Sequence, residues 1–156
     1  MGLDIHFIVE RRRADGAWER VEPLGPPDDP SSDFPLVDGT QRINLYWTRS
    51  YATFSALADV RNRSRDIPPI HPPRGVPSDM SAETRAVWDW WREEDTEAEA
   101  NDWLAASWLT LREMLDYDWP KRFTRGPEGD REILGVLEQM KQFGPPDEVR
   151  AVFWFD

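Results

Sequence analysis

The segment Val149-Arg150-Ala151-Val152-Phe153-Trp154-Phe155 constrains the fold of this chain more than any other. Side chains of a strand alternate between two faces. Here both faces are apolar apart from Arg150. Such a strand should be central in a sheet or well covered. Near the other end, Asp4–Arg12 reads as a second strand. It sends Ile5, Phe7 and Val9 one way and Asp4, His6, Ile8 and Glu10 the other. Strands at both ends with helical patterns between them predict an α+β fold. A small mixed or antiparallel sheet, carrying the N- and C-terminal strands, is then covered by about four helices.

The intervening chain supplies the remaining elements. Ala14-Asp15-Gly16-Ala17 is a turn signal leading into a strand near Trp18–Glu22. Residues 23–39 are a Pro-, Asp- and Ser-rich loop, and Arg42–Trp47 reads as a short strand. Tyr51–Asn62 reads as a helix with Tyr51, Phe54, Leu57, Ala58 and Arg61 on one face. Residues 63–79 form a second Pro-rich loop that can be neither helix nor central strand. Ser81 is the expected N-cap of an acidic, Trp-rich helix running to about Glu99. Thr110-Leu111-Arg112-Glu113 is a capping box opening a helix over Leu111–Asp116, with Leu109 and Met114 at the staple positions. A longer helix follows over Asp130–Phe143, capped by Asp130 and stopped by Gly144 and Pro145-Pro146. There are no internal repeats, and 156 residues are expected to form a single domain, 1–156.

The net charge of −11 argues against direct nucleic-acid binding. It is unevenly spread: residues 79–102 hold nine acids against two arginines, whereas residues 1–78 hold eleven acids against ten. No apolar run reaches the roughly 18 residues of a membrane span. There is no secretory signal pattern, and cysteine is absent. A cytoplasmic protein without membrane contact is expected. Arginine outnumbers lysine 17 to 2, and there are nine tryptophans. Trp88, Trp90 and Trp91 cannot all face one core, because adjacent helical positions lie about 100° apart. An exposed Trp is expected to serve a subunit contact in a homo-oligomer.

Several separate motifs, in order, resemble an uncharacterised family of tailed-phage and bacterial proteins that begin Met-Gly-x-Asp-Ile-His. They are Met1-Gly2-Leu3-Asp4-Ile5-His6 with Val9-Glu10, Arg49-Ser50-Tyr51 with Phe54, and Leu57-Ala58-Asp59-Val60-Arg61-Asn62. Pro73-Arg74-Gly75-Val76-Pro77, Ser107-Trp108-Leu109-Thr110-Leu111, Tyr117-Asp118-Trp119 and Val152-Phe153-Trp154-Phe155-Asp156 continue the match nearly end to end. The resemblance implies a phage or prophage setting and supplies no activity. Relatives often carry a His-Ser pair before the Ser-Trp-Leu-Thr-Leu stretch, where this chain reads Asn101-Asp102-Trp103-Leu104-Ala105-Ala106. A metal site using that histidine would be incomplete here.

Two constellations carry chemistry. Asp4 and His6 share a strand face, and with Asp59 and Asp156 they would suit Zn, Mn or Fe, the carboxylates alone suiting Mg. The plainer reading has His6 bonded to a backbone carbonyl or to Asp4. The second constellation is Arg49, Arg61 and Arg74, all inside the family-like motifs, whereas Arg11–Arg13 and Arg63 are not. Convergent arginines suit phosphate or carboxylate; the plainer reading pairs each with its own acid. If the first and last strands pair antiparallel, Trp154 and Asp156 join Asp4 and His6, with Trp154 as a stacking surface. No P-loop, Rossmann, nucleophile-elbow or zincin motif is present.

The expectation is therefore a phage-type accessory protein binding an anionic small molecule of the nucleotide class, able to sequester a host signalling nucleotide. Its site would comprise Asp4, His6, Arg49, Asp59, Arg61, Arg74 and Trp154. One alternative is a divalent-metal phosphoester hydrolase using Asp4, His6 and Asp59. Another is an acidic inhibitor of a nucleic-acid-binding host protein, using residues 79–102.

Overall fold

The computed structural model describes residues 2–25, 41–63, 66–94, 105–119 and 129–156. Four strands form one antiparallel sheet: β1 (Ile5–Arg12), β2 (Trp18–Arg20), β5 (Ser107–Thr110) and β6 (Val149–Phe155), in the order β2-β1-β6-β5. Two short strands, β3 (Leu24–Gly25) and β4 (Gln41–Arg42), pair separately. The helices are α1 (Tyr51–Ala58), α2 (Ala82–Glu94), α3 (Leu111–Asp116) and α4 (Gly129–Met140). The α+β expectation holds, with N- and C-terminal strands inside one antiparallel sheet.

β6 is central because nothing else could bury it. Every one of its residues is buried, between β1 on one side and β5 on the other. Its pairing with β1 runs from Ile5 opposite Phe155 to Arg11 opposite Val149, and Asp4 and Asp156 exchange two further backbone bonds. This register sends Ile5, Phe7, Val9, Ala151, Phe153 and Phe155 into the main core, with Leu57 of α1, Met114 of α3 and Leu137 of α4. The opposite face, Ile8, Val152 and Trp154, packs under Met80 and the Val87 and Trp88 side chains of α2. Each large apolar side chain so buried contributes about 1.5–3 kcal/mol.

Several boundaries differ from the sequence reading. Residues 107–110, to which the sequence reading gave no strand, form β5, pairing Leu109 with Ala151 and Thr110 with Arg150. Thr110 is also the N-cap of α3, and the capping box with Glu113 is fully formed. α1 stops at Ala58 rather than Asn62. Asp59 turns left-handed (φ 60), its N–H reaches Ser55, and the Val60 N–H reaches Phe54. Such a turn satisfies the last helical carbonyls and ends the helix. Of the expected strand Arg42–Trp47, only Arg42 is in a strand with Gln41. Ser81 caps α2, its hydroxyl accepting the Thr84 N–H at 3.1 Å. The expected continuation of α2 beyond Glu94 and residues 26–39 of the first loop lie outside the described residues. Asp130, expected as a cap, is instead the second residue of α4, which begins at Gly129 and ends at Met140 rather than Phe143. Among the described residues no helix is long and apolar enough to cross a membrane.

Candidate functional site

The seven residues singled out from sequence do not assemble into one site. Arg49 grips Asp4 with two hydrogen bonds, one from Nη2 at 2.8 Å. These bonds hold the Asp4 carboxyl below its ordinary range against a smaller opposing effect of burial. Asp59 and Arg61 lie on the left-handed turn after α1. There Asp59 accepts from Asn62 at 2.7 Å, and the Arg61 guanidinium stands 5.8 Å over the Tyr51 ring. Arg74 is locked to Glu113. Its Nη1 donates to Glu113 Oε2 and to the Trp108 carbonyl, both at 2.9 Å, and its Nη2 donates to Glu113 Oε1. Arg49 therefore sits at the Asp4–Asp156 end of the central strand pair. Arg74 sits beside Trp108, further back along β6, where Trp108 opposes Val152.

His6 and Trp154 do come together, as the antiparallel register requires, and Asp156 joins them. The His6 ring lies 4.2 Å from that of Trp91 and 5.5 Å from that of Trp154, with Nε2 3.2 Å from Asp156 Oδ2. Trp154 is 0 % exposed, so it is a core residue under α2 and not a stacking surface for a ligand. Among the described residues no group of three or more His, Asp and Glu side chains is gathered to hold a metal. Asp4 is taken by Arg49, and Asp59 stands on a separate turn.

The chemistry collects elsewhere, around Arg150. Glu10 lies opposite Arg150 in the β1–β6 ladder, so both side chains emerge on the α2 face. The guanidinium, on a residue only 2 % exposed, donates to Glu10 Oε1 from Nε at 3.0 Å and from Nη2 at 2.8 Å. Glu10 Oε2 accepts the Ser81 N–H and the Thr84 hydroxyl, both at 2.8 Å, which ties the start of α2 to the sheet. The guanidinium is sandwiched between aromatic faces, 3.9 Å from the Trp18 centroid and 5.7 Å from that of Trp108. Arg74 covers Trp108 at 4.4 Å, and Arg12 covers Trp18 at 5.1 Å. The result is an alternating stack of cations and indoles, Arg12-Trp18-Arg150-Trp108-Arg74, spread across β1, β2, β6, β5 and the second Pro-rich loop.

This stack lines a cleft of about 510 Å³, within the range of small-molecule sites. Ser78, Thr110, Asp79 and Asp147 complete its polar wall. Two features fix the wall. The Arg74 N–H donates to Ser107 Oγ at 3.0 Å, so the Pro-rich loop is pinned along the edge of β5. Glu113 holds both Arg74 and the Thr110 N–H, the latter at 2.8 Å. Hydrogen bonds from Arg74, with the Thr110 bonds and the Arg74 charge, pull the Glu113 carboxyl down to about 2 despite partial burial. Arg12 is the least constrained member: its ion pair with Glu148 is 3.7 Å long and half exposed. A larger hollow, about 790 Å³, opens between Trp47, Arg49 and α4. Its guanidinium is turned onto Asp4 and its Thr48 onto Glu132.

Sequence reasoning placed Arg74 in a site and missed Arg12, Trp18, Trp108 and Arg150. The available signal was Arg150, the one charge in an otherwise apolar strand. A charge buried in a central strand requires a carboxylate from a neighbouring strand, and Glu10 was the acid on the matching face of the first strand. No family model, curated protein or solved structure matches this chain.

Proposed function

We propose that the chain binds an anionic small molecule bearing a planar ring, a nucleotide being the class that fits, in the cleft built around Trp108 and Arg150. The supporting observation is the Arg–Trp stack. A base stacked on an indole is worth about 1–3 kcal/mol, and the Trp18 face that loosely paired Arg12 covers is the one a base would take. Guanidinium groups beside it accept phosphate oxygens in a planar fork. Arg12, half exposed and loosely paired, is free to turn from Glu148 to a phosphate. In the phage setting that the sequence resemblance implies, holding a host nucleotide out of circulation is the role such a cleft would play.

The test is calorimetric titration with adenosine and guanosine mono-, di- and triphosphates. Trp18→Ala and Arg12→Ala should each weaken binding by about tenfold or more, the loss of one stacking or charge-assisted contact. Arg49→Ala, at the other end of the strand pair, should leave binding unchanged. Equal affinity in Trp18→Ala and the parent chain would remove the reading.

A further inference from the structure

One carboxylate already sits where a ligand's anion would go. Arg150 spends Nε and Nη2 on buried Glu10, and its remaining terminal nitrogen, Nη1, points to the cleft wall. There it donates to Asp79 Oδ1 at 2.9 Å, while the Trp18 indole N–H donates to Asp79 Oδ2 at 3.2 Å. Each oxygen of one carboxylate thus takes one donor, and the two donors come from β6 and β2. Carboxylate and phosphate are the groups that offer two oxygens on one centre at this spacing. Asp79 differs from Glu10 in one respect: its side chain is 61 % exposed, whereas Glu10 is 0 %. It lies just before the Ser81 cap of α2, in a turn closed by the Met80 N–H on the Pro77 carbonyl. Rotation of its side chain alone would move the carboxylate into solvent.

We infer that Arg150 Nη1 and Trp18 Nε1 form the anion subsite of the cleft, and that Asp79 fills it in the free protein as a tethered competitor that a ligand phosphate displaces. The inference rests on the proposed binding cleft and adds a regulatory element to it. A tethered group competes at a high effective concentration, so the apparent affinity is reduced by the fraction of molecules in which Asp79 has left. Selectivity follows as well. A neutral ring compound cannot pay for displacing the carboxylate, whereas a phosphate replaces both of its bonds and relieves the repulsion between the two anions. The competitor is not needed to balance a buried charge: Arg150 is already neutralised by Glu10.

The experiment titrates adenosine 5′-monophosphate and inorganic phosphate into the full chain, Asp79→Ala and Asp79→Asn, with thermal unfolding recorded for each. Asp79→Ala is expected to bind adenosine monophosphate about tenfold tighter than the parent, with a melting temperature close to that of the parent. Asp79→Asn keeps one acceptor without the charge and should fall between. Equal affinity in parent and Asp79→Ala would overturn the competitor role while leaving the cleft reading intact. Weaker binding by a folded Asp79→Ala would also overturn it, making Asp79 a positioning partner of Arg150. No binding by the parent or either variant would remove both readings.

Discussion

Glu10 is a fully buried carboxylate whose removal should be costly. Glu10→Ala deletes the acceptor of four donors: Nε and Nη2 of Arg150, the Ser81 N–H and the Thr84 hydroxyl. Arg150 retains only Asp79 and its aromatic neighbours, and α2 loses its tie to β1. Breaking a buried ion pair by removing one partner costs about 3–5 kcal/mol. Against a typical total of about 5–15 kcal/mol, that is a large share. With a urea m-value of about 2 kcal/mol/M, the midpoint of unfolding should fall by about 2 M. The matched control is Glu19→Ala. Glu19 pairs with Arg11 on the neighbouring strand at 2.7 Å, but both side chains are partly exposed, at 33 % and 47 %. An exposed pair of this kind is worth about 0–1 kcal/mol, so its midpoint should barely move. Circular dichroism in urea measures both variants. A Glu10→Ala midpoint within the error of Glu19→Ala would refute the assignment of Glu10 as the joint between sheet and helix.

Further outcomes follow from the same geometry. The Glu113 carboxyl is lowered from the usual 4.5 to about 2 in the folded chain. Its contribution is therefore present above pH 4.5 and lost as pH falls through 2. The melting-temperature gap between the parent and Glu113→Gln should be widest near neutrality and close across that window; a gap constant from pH 6 to pH 2 would exclude the Arg74 bond as its source. Arg61 has φ 58, where a side chain carries a penalty that glycine escapes. Arg61→Gly should accordingly be more stable than Arg61→Ala by about 1 kcal/mol in urea unfolding. Equal midpoints would show that the turn relaxes in the alanine variant. Thr110→Ala removes the hydroxyl that accepts the Glu113 N–H at 3.1 Å and should cost about 1 kcal/mol, whereas Thr110→Ser should restore most of it.

The parts of the fold legible in the sequence were those set by short-range chemistry or by extreme pattern. The Thr110–Glu113 box is decided within four residues, and the apolar run of β6 leaves a single environment open to it. β5 was missed because its four residues carry no strand pattern of their own. Ser107-Trp108-Leu109-Thr110 becomes a strand only through pairing with Phe153 to Arg150, and β propensity depends on such context. The end of α1 was misplaced because Asp59 adopts a left-handed conformation that glycine usually marks. The cleft was the least legible part. Arg12 opposes Trp18 and Glu10 opposes Arg150 only once two strand registers are known, and a register slip of one residue would send each of these side chains to the other face.

The pairing of β1 with β6 also bears on how the chain reaches this structure. Glu10 and Arg150 are separated by 140 positions, and the two strands that meet there form the middle of the sheet. Neither β2 nor β5, with three and four residues, offers a substitute partner of comparable length. During synthesis β1 emerges first and must wait, with Ile5, Phe7, Ile8 and Val9 unburied, until β6 has left the ribosome. At about 5–20 residues per second that interval is on the order of ten seconds or more. Closure of so long a loop places folding at the slow, high-contact-order end of small domains. A truncated chain lacking β6 would expose the most apolar surface of the molecule along an open strand edge, the form in which sheets recruit one another.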